Sequence, residues 1–255
     1  MKIFLKGFCI GLLCLSLLGL LWFLVLQPGL TNGEAQALKK EYAQPLPGAE
    51  SSGVLPAGKE QLEPESLVDL PALQTEYPDI KGWISIPGTR IDYPVMQTKD
   101  NPNFYLKHAF DKSYSSYGVP YMQENCDVGI SDNLVLYGHH MNNGSMFSDL
   151  CKYESEDFYQ EHKTIRFDTL DSFGEYEVIA AFKTVAYSEE GFKYYHFVRA
   201  EQEEDFDEFI AKCKELALYD TGVTAEYGDQ LITLSTCEYS RTNGRMVVVA
   251  KLLEE

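Results

Sequence analysis

From Gly82 onward, apolar residues alternate with polar ones over short stretches that end at glycine, proline and other turn residues. A two-residue period is typical of β-strands, because successive side chains on a strand point to opposite faces. It predicts about eight strands, at residues 83–86, 91–97, 119–122, 133–137, 164–168, 175–186, 230–237 and 245–253. Together they predict a mainly β domain, an antiparallel barrel with helical insertions.

Helices are predicted where apolar residues recur every three or four positions. The strongest such pattern runs through residues 201–218, with apolar residues at Phe206, Phe209, Ile210, Cys213, Leu216 and Ala217. Shorter helices are predicted at residues 155–162 and, interrupted by Pro71, at residues 66–77. The barrel is therefore expected to carry a helix at its N-terminal side and one long helix late in the domain.

The N-terminal part of the chain has a different pattern. After Lys2 and Lys6, residues 8–26 carry no charge; as a helix they would span about 28 Å, close to the bilayer hydrocarbon thickness of about 30 Å. The run lacks the small-residue cleavage site of a secretory signal, which favours an uncleaved transmembrane signal anchor. Both lysines precede the run, so the tail at 1–7 is expected in the cytoplasm.

A linker and a folded domain are predicted after the anchor. Residues 27–65 are rich in Pro, Gly, Ala, Ser and Glu, which is typical of a linker. The folded domain is expected at residues 66–255. The predicted location is a single-pass protein of the cell membrane with this domain outside the cell.

Charge and cysteine content limit the possible partners of the protein and the roles of its thiols. The formal net charge is −18, and an acidic surface repels phosphate backbones, which excludes nucleic acid as a partner. Cys9 and Cys14 fall in the predicted anchor, and Cys213 falls on the apolar face of the long helix, which predicts a core thiol. Cys126 and Cys151 could form a disulfide or remain two free thiols, and the sequence does not decide between these alternatives.

The last two predicted strands carry a candidate reactive pair. The two-residue period puts Thr233, Ser235 and Cys237 on one face. Seven residues then lead to Arg245, so a symmetric hairpin places Cys237 and Arg245 opposite each other, with Cβ atoms about 4.5–5.5 Å apart. A guanidinium favours the nucleophilic thiolate and can donate hydrogen bonds to an oxyanion. An inert buried thiol beside a solvated arginine is the alternative.

A third candidate comes directly after strand 133–137. Gly138 breaks that strand, and His139 and His140 emerge at its end, where a rigid element can present a side chain to a substrate. An imidazole near a thiol can act as general acid and base in acyl transfer. A histidine satisfied within its loop is the alternative.

Metal and cofactor chemistry finds little support in the sequence. The paired histidines and Cys237 could bind zinc, but no carboxylate or second cysteine stands at a recognisable ligand spacing. No metal and no cofactor are therefore predicted; the sequence leaves calcium dependence open. The aromatic run at 192–197 is predicted to be a packed loop, with a groove wall as the alternative.

Three ordered segments together resemble the sortase family of cysteine transpeptidases. Residues 233–237, Thr-Leu-Ser-Thr-Cys, resemble the family's T-L-x-T-C signature. The dipeptide 138–139 resembles its strand-end histidine, and residues 245–251 resemble its closing arginine strand. Leu136–Met141, the block Gly82–Val95 and the late long helix are similar to class B sortases. The resemblance extends from about residue 70 to the C-terminus and implies a closed, mainly antiparallel barrel.

The resemblance also implies a role for each candidate residue. Cys237 is expected to attack a peptide carbonyl and form a thioacyl intermediate. His139 is expected to protonate the leaving amine and later deprotonate the incoming one, and Arg245 to stabilise the oxyanion. Flanking residues expected to contact the substrate are Tyr137, Ser235 and Glu238. His140 is expected to be a neighbour and not a catalyst.

The partners implied by the resemblance are secreted proteins and a cell-wall acceptor. The proteins would carry a C-terminal sorting motif of the NPxTx or xPxTG type, and the acceptor would be an amine of the lipid-linked peptidoglycan precursor. A pilin lysine as acceptor is one alternative. A plain cysteine protease that uses water, and a catalytically inactive surface-display barrel, are the others.

Overall fold

The computed structural model describes Leu12 and residues 14–19, 27–44 and 67–253. Its elements, in chain order, are α1 (Gln27–Glu41), β1 (Ala43–Gln44), β2 (Leu67–Val68), α2 (Leu70–Glu76), β3 (Ile80–Ser85), β4 (Asp92–Met96), β5 (Tyr121–Met122), β6 (Asn133–Tyr137), α3 (Glu156–Glu161), β7 (Thr164–Thr169), β8 (Glu175–Val185), α4 (Glu203–Leu216), β9 (Leu231–Cys237) and β10 (Gly244–Leu252). Short 3₁₀ helices lie at Phe104–Leu106, Ser148–Glu154 and Tyr194–His196.

Within residues 67–253, eight strands close into a barrel in the order β10-β8-β7-β3-β4-β5-β6-β9. The predicted closed, mainly β barrel is thereby confirmed. Two of its pairs, β4 with β5 and β6 with β9, are parallel, and the six other pairs of this barrel are antiparallel. The sequence pattern could not indicate this difference, because a two-residue period fixes the faces of a strand and not its partner's direction.

The strand that carries Arg245 lies at the centre of the packing. In β10, Val247, Val248 and Val249 are all fully buried, so both faces of this strand are covered. The 3₁₀ helix Ser148–Glu154 packs on β9 and β10. A strand buried on both faces has a continuous apolar run, as seen here. This packing makes the barrel wall a rigid base for residues at the strand ends.

The predicted long helix is confirmed as α4, which packs on β8. Its apolar stripe is buried, with Phe206, Phe209, Ile210 and Cys213 facing the core. Gln202 and Asp205 cap its first turn reciprocally, and the acidic residues there suit the positive end of the helix dipole. The two shorter helices are also present, as α2 and α3.

The predicted membrane anchor is not supported. Of residues 8–26, only Leu12 and 14–19 are among the described residues. Nowhere in the described part of the chain is there a helix long and apolar enough to cross a bilayer. The described helix α1 has 15 residues and carries two lysines in its last turn, whereas a span needs about 20 apolar residues. This finding contradicts the predicted single-pass location with an extracellular domain.

Residues 27–44 of the predicted linker contain regular structure. Helix α1 occupies most of this segment, and its side chains Ala35 and Leu38 are buried against the barrel domain. The Lys39 ammonium lies 2.9 Å from the Asp92 carboxylate at the start of β4. The spacing of Ala35 and Leu38 puts both on one helix face, so two apolar contacts and an ion pair hold the helix to the barrel. Residues 45–65 of the predicted linker lie outside the described residues.

Candidate active site

The β9–β10 hairpin places a thiol and a guanidinium side by side. Cys237 at the end of β9 pairs directly with Arg245 in β10, so the predicted register is confirmed. The turn is closed by a hydrogen bond from the Glu238 amide to the Gly244 carbonyl, 2.9 Å long. Directly paired residues share a face, and the side chains of Cys237 and Arg245 therefore point into the same space.

Strand β6 brings His139 to that space from the other side of β9. Tyr137 pairs with Ser235 in parallel register, and the Gly138 amide donates to the Ser235 carbonyl at 3.2 Å. A Cβ atom at Gly138 would lie 2.5 Å from the Phe147 ring, so this position has no room for a side chain. Because β6 and β9 run parallel, His139 follows β6 at the same end of the barrel where β9 ends in Cys237, and both residues line one groove.

A backbone carbonyl orients the His139 ring. Nε2 of His139 lies 2.8 Å from the carbonyl oxygen of Leu106, the last residue of the 3₁₀ helix Phe104–Leu106. A carbonyl only accepts hydrogen bonds, so Nε2 carries the proton of the neutral ring. Nδ1 is then the nitrogen that can exchange a proton with a substrate.

The Arg245 guanidinium keeps its hydrogen-bonding capacity largely open. It donates to the Gly244 carbonyl at 2.9 Å, and its central carbon lies 5.9 Å from the centre of the Tyr187 ring. No carboxylate among the described residues forms an ion pair with it. An arginine that is restrained by a ring and not neutralised by an acid is suited to bind a carbonyl or an oxyanion.

All three side chains line one groove of about 720 Å³. Much of its wall is aromatic, formed by Tyr121, Tyr137, Tyr187, Tyr194, Tyr195 and His196. Tyrosine offers an apolar ring with a polar end, which suits an extended peptide with few charges. The arrangement can therefore hold a peptide carbonyl near a thiol, an imidazole and a guanidinium.

Comparisons with known proteins agree with this geometry. The sequence model of the Sortase domain family matches residues 84–253. The chain is 34% identical to Sortase B of Staphylococcus aureus over 183 residues, which are 69% of this chain and 71% of that protein. The chain belongs to the sortase family. Sortase B of Listeria monocytogenes is similar too, with 33% identity over 190 residues, 72% of this chain and 74% of that protein.

A solved structure supports the same conclusion. The Staphylococcus aureus sortase B–substrate complex aligns with a TM-score of 0.66 at 33% identity and covers 72% of this chain and 84% of that one. The predicted class B resemblance is thereby confirmed, and this sortase is a cysteine transpeptidase.

Two of the three residues predicted to contact substrate line the groove of this sortase. Tyr137 and Ser235 do so, although their hydroxyls already have partners: Tyr137 donates to the Gln123 side chain, and Ser235 lies 2.6 Å from the Tyr194 hydroxyl. Burial raises the pKa of Tyr194 to about 12, so this hydroxyl stays protonated at neutral pH.

The third residue, Glu238, is not among the residues that line the groove. Its carboxylate accepts hydrogen bonds from the Ser240 amide and hydroxyl at 2.8 and 2.7 Å, and Lys183 lies 3.7 Å away. Burial opposes the charge, but these partners outweigh it and hold the pKa of Glu238 below its usual value. β9 ends at Cys237, after which the chain turns, and the Glu238 carboxylate accepts its hydrogen bonds within the hairpin loop. Contact of Glu238 with substrate stays a prediction.

Several groove residues carry no recognisable sequence signal. Leu106 binds His139 through its carbonyl, and Tyr187 has a positive φ of 59° and a ring near Arg245. The aromatic run at 192–197 was predicted to be a packed loop or, alternatively, a groove wall, and different residues of it do each. Tyr194 and Tyr195 line the groove, whereas the ring of Phe197 stacks on Phe209 of α4 at 4.2 Å.

The other cysteines of the barrel domain differ from Cys237. Cys126, Cys151 and Cys213 are free thiols, which settles the open question of a Cys126–Cys151 disulfide and confirms Cys213 as a core thiol. Burial raises the pKa of Cys126 and of Cys151 to about 11. At pH 8, on the order of one in a thousand of these two thiols is then ionised.

We expect iodoacetamide at pH 8 to alkylate Cys237 well before Cys126, Cys151 or Cys213. Cys237 opens into the groove, while the other three are protonated or buried, and only a thiolate reacts readily. Peptide mass spectrometry after timed quenching gives the alkylation rate of each of the four cysteines. Faster labelling of Cys151 than of Cys237 would show that the reactive thiol has been misplaced.

Proposed function

We propose that this sortase cleaves a C-terminal sorting motif with Cys237 as nucleophile, His139 as general acid and base, and Arg245 as oxyanion donor. The observation that carries the proposal is the convergence of these three side chains on one groove. Residues 66–255 are the proposed catalytic domain.

The first half-reaction exchanges a C–N bond for a C–S bond. The Cys237 thiolate attacks the scissile carbonyl, and the tetrahedral oxyanion accepts hydrogen bonds from the Arg245 guanidinium. Nδ1 of protonated His139 gives its proton to the leaving amine. The ring then returns to the neutral form that Leu106 favours, with its proton on Nε2.

The second half-reaction reverses these roles. The incoming amine loses a proton to Nδ1 of His139 as it attacks the thioester, and Cys237 leaves as a thiolate. Two easier steps thus replace direct exchange of one amide for another. The open groove beside His139 gives the second amine access to the thioester.

The proposed substrate is a secreted protein with an NPxTx or xPxTG motif, and the proposed acceptor is an amine of the cell-wall precursor. Support comes from the similarity to the Staphylococcus aureus sortase B–substrate complex and from the aromatic groove. A motif with proline and few charges suits tyrosine walls better than a strongly charged peptide would.

Mass spectrometry of the full chain with motif peptides tests this function. NPxTx and xPxTG peptides are incubated with triglycine, and a scrambled peptide serves as control. We expect a product in which the N-terminal part of the motif is joined to triglycine. Free acid alone would mean that water is the acceptor, as in a protease. Absence of turnover with both motif classes would overturn the proposal.

Substitution of Arg245 tests its role. Arg245→Gln is expected to lower kcat by about 10²- to 10³-fold, the usual cost of losing an oxyanion donor. Arg245→Lys keeps the positive charge but lacks the planar guanidinium with its paired donors, so its kcat should lie between that of Arg245→Gln and that of the parent. Arg241→Gln, in the exposed part of the same hairpin loop, is the matched control. Equal activity of Arg245→Gln and Arg241→Gln would remove Arg245 from the mechanism.

A further inference from the structure

His140 has a side-chain contact that its expected role as a bystander does not explain. Its Nδ1 lies 3.0 Å from the carbonyl oxygen of Cys237. Because a carbonyl only accepts, Nδ1 is the donor, and the ring is fixed in the tautomer that carries this proton. The residue after the proposed general acid and base thus binds the backbone of the proposed nucleophile.

Two other side chains lie close to His140. The Cys151 sulfur lies 3.3 Å from the same Nδ1, and the ring of Tyr239 lies 5.0 Å from the imidazole, centre to centre. The Tyr239 hydroxyl donates to the His140 carbonyl at 2.9 Å. Both the backbone and the side chain of His140 are therefore tied to the region around Cys237.

The contact lies just where strand pairing stops. Strands β6 and β9 are joined up to the bond between the Gly138 amide and the Ser235 carbonyl. Beyond that bond, no backbone hydrogen bond joins residues 139–140 to Cys237 among those the structure describes. The His140 side chain takes the place of the missing ladder bond.

The two adjacent histidines therefore have different partners. His139 binds the Leu106 carbonyl and lines the groove. His140 does not line the groove and binds the Cys237 carbonyl instead. Because the two residues are joined by one peptide bond, the His140 contact restrains the distance between the imidazole of His139 and the sulfur of Cys237.

We propose that His140 is a positioning residue, whose hydrogen bond to the Cys237 carbonyl holds the nucleophile in register with His139. This inference rests on the proposed function of Cys237 and His139. Misplacement of reacting groups by about 1 Å can cost about 10²-fold in rate. Loss of the bond should therefore lower kcat by about 10-fold or more and leave KM within about 2-fold, because His140 does not line the groove.

Two substitutions of similar shape distinguish the effect of losing the hydrogen bond from the effect of altered packing. His140→Asn places an amide N–H one bond from Cγ, where Nδ1 stands, and should retain most of the activity. His140→Leu has nearly the same size without a donor and should show the loss. If His140→Leu does not fold, His140→Ala provides the comparison. Cys151→Ala, which alters the same cluster but leaves the His140–Cys237 bond, should stay within about 2-fold of the parent.

Hydrogen–deuterium exchange gives a second readout that needs no substrate. In His140→Leu, exchange at the amide of Glu238, which closes the hairpin beside Cys237, should be at least several-fold faster than in the parent chain and in His140→Asn. If the parent turns over no peptide, the proposed function fails, while the exchange comparison still tests the positioning bond.

Matching kcat and exchange rates for His140→Leu and the parent would overturn the inference. So would equal impairment of His140→Leu and His140→Asn, because the donor would then be irrelevant. A loss confined to KM would move His140 from positioning to substrate binding and would also overturn it.

Discussion

Replacing Cys237 by alanine is expected to lower the rates of both transpeptidation and hydrolysis by at least about 10³-fold. The sulfur forms the only covalent bond to the acyl group in the proposed cycle, and neither His139 nor Arg245 can take its place. The groove itself should remain intact, because the Cys237 side chain is not part of the buried core. Cleavage of a fluorogenic sorting peptide, with and without triglycine, measures both rates.

Cys151→Ala is the matched control for this substitution. Cys151 is also a partly exposed free thiol, and its sulfur lies 3.8 Å from the Cys237 carbonyl. The Cys151→Ala variant should keep the parent rate within about 2-fold. The Cys237→Ala variant should still bind the peptide but should not cleave it. Turnover by Cys237→Ala above a hundredth of the parent rate would exclude a thioacyl mechanism at this residue.

Replacing His139 by alanine has the second largest expected effect, a loss of about 10²- to 10⁴-fold in kcat, the usual contribution of general acid and base catalysis. The amine would then leave without a proton donor. The thiol would remain in place, because β9 and β10 hold it independently of the imidazole. Steady-state kinetics with the same fluorogenic peptide gives the loss.

Added imidazole provides a sharper test of His139. The groove is open at this position, so free imidazole should partly restore the rate of His139→Ala and should leave Cys237→Ala inactive. His162→Ala, whose ring stacks on Phe158 away from the groove, is the control for loss of a histidine. A rate for His139→Ala within about 3-fold of the parent would refute the assigned role.

The site is more predictable from the sequence than much of its surroundings. Seven residues between Cys237 and Arg245 suffice for a symmetric hairpin, so chain length and the two-residue period give the cross-strand pair. The strand-end position of His139 follows from Gly138. Its approach to Cys237 depends on a parallel pairing of β6 and β9, which no local pattern reveals. From the sequence, only the family resemblance predicts that His139 lies in the same site as Cys237 and Arg245.

The residues that orient the site are harder to predict, because they act through their backbones or through unexpected contacts. The Leu106 carbonyl binds His139, and every residue has a carbonyl. The position of Glu238 directly after Cys237 predicts a groove residue, but the turn directs its carboxylate to Ser240. Helix α1 has no clear sequence signal because few apolar residues mark it; Ala35 and Leu38 become informative only once the barrel surface is known.

Trapping of the acyl-enzyme is the most direct test of the central claim that the sulfur of Cys237 takes up the acyl part of a sorting motif. The full chain is incubated with a motif peptide without added amine, quenched in acid, and mapped by intact-mass and peptide mass spectrometry. We expect an adduct with the mass of the N-terminal part of the motif on the peptide that contains Cys237, and its rapid loss on addition of triglycine. Cleaved peptide with no adduct at Cys237, or an adduct at Cys151, would contradict the account.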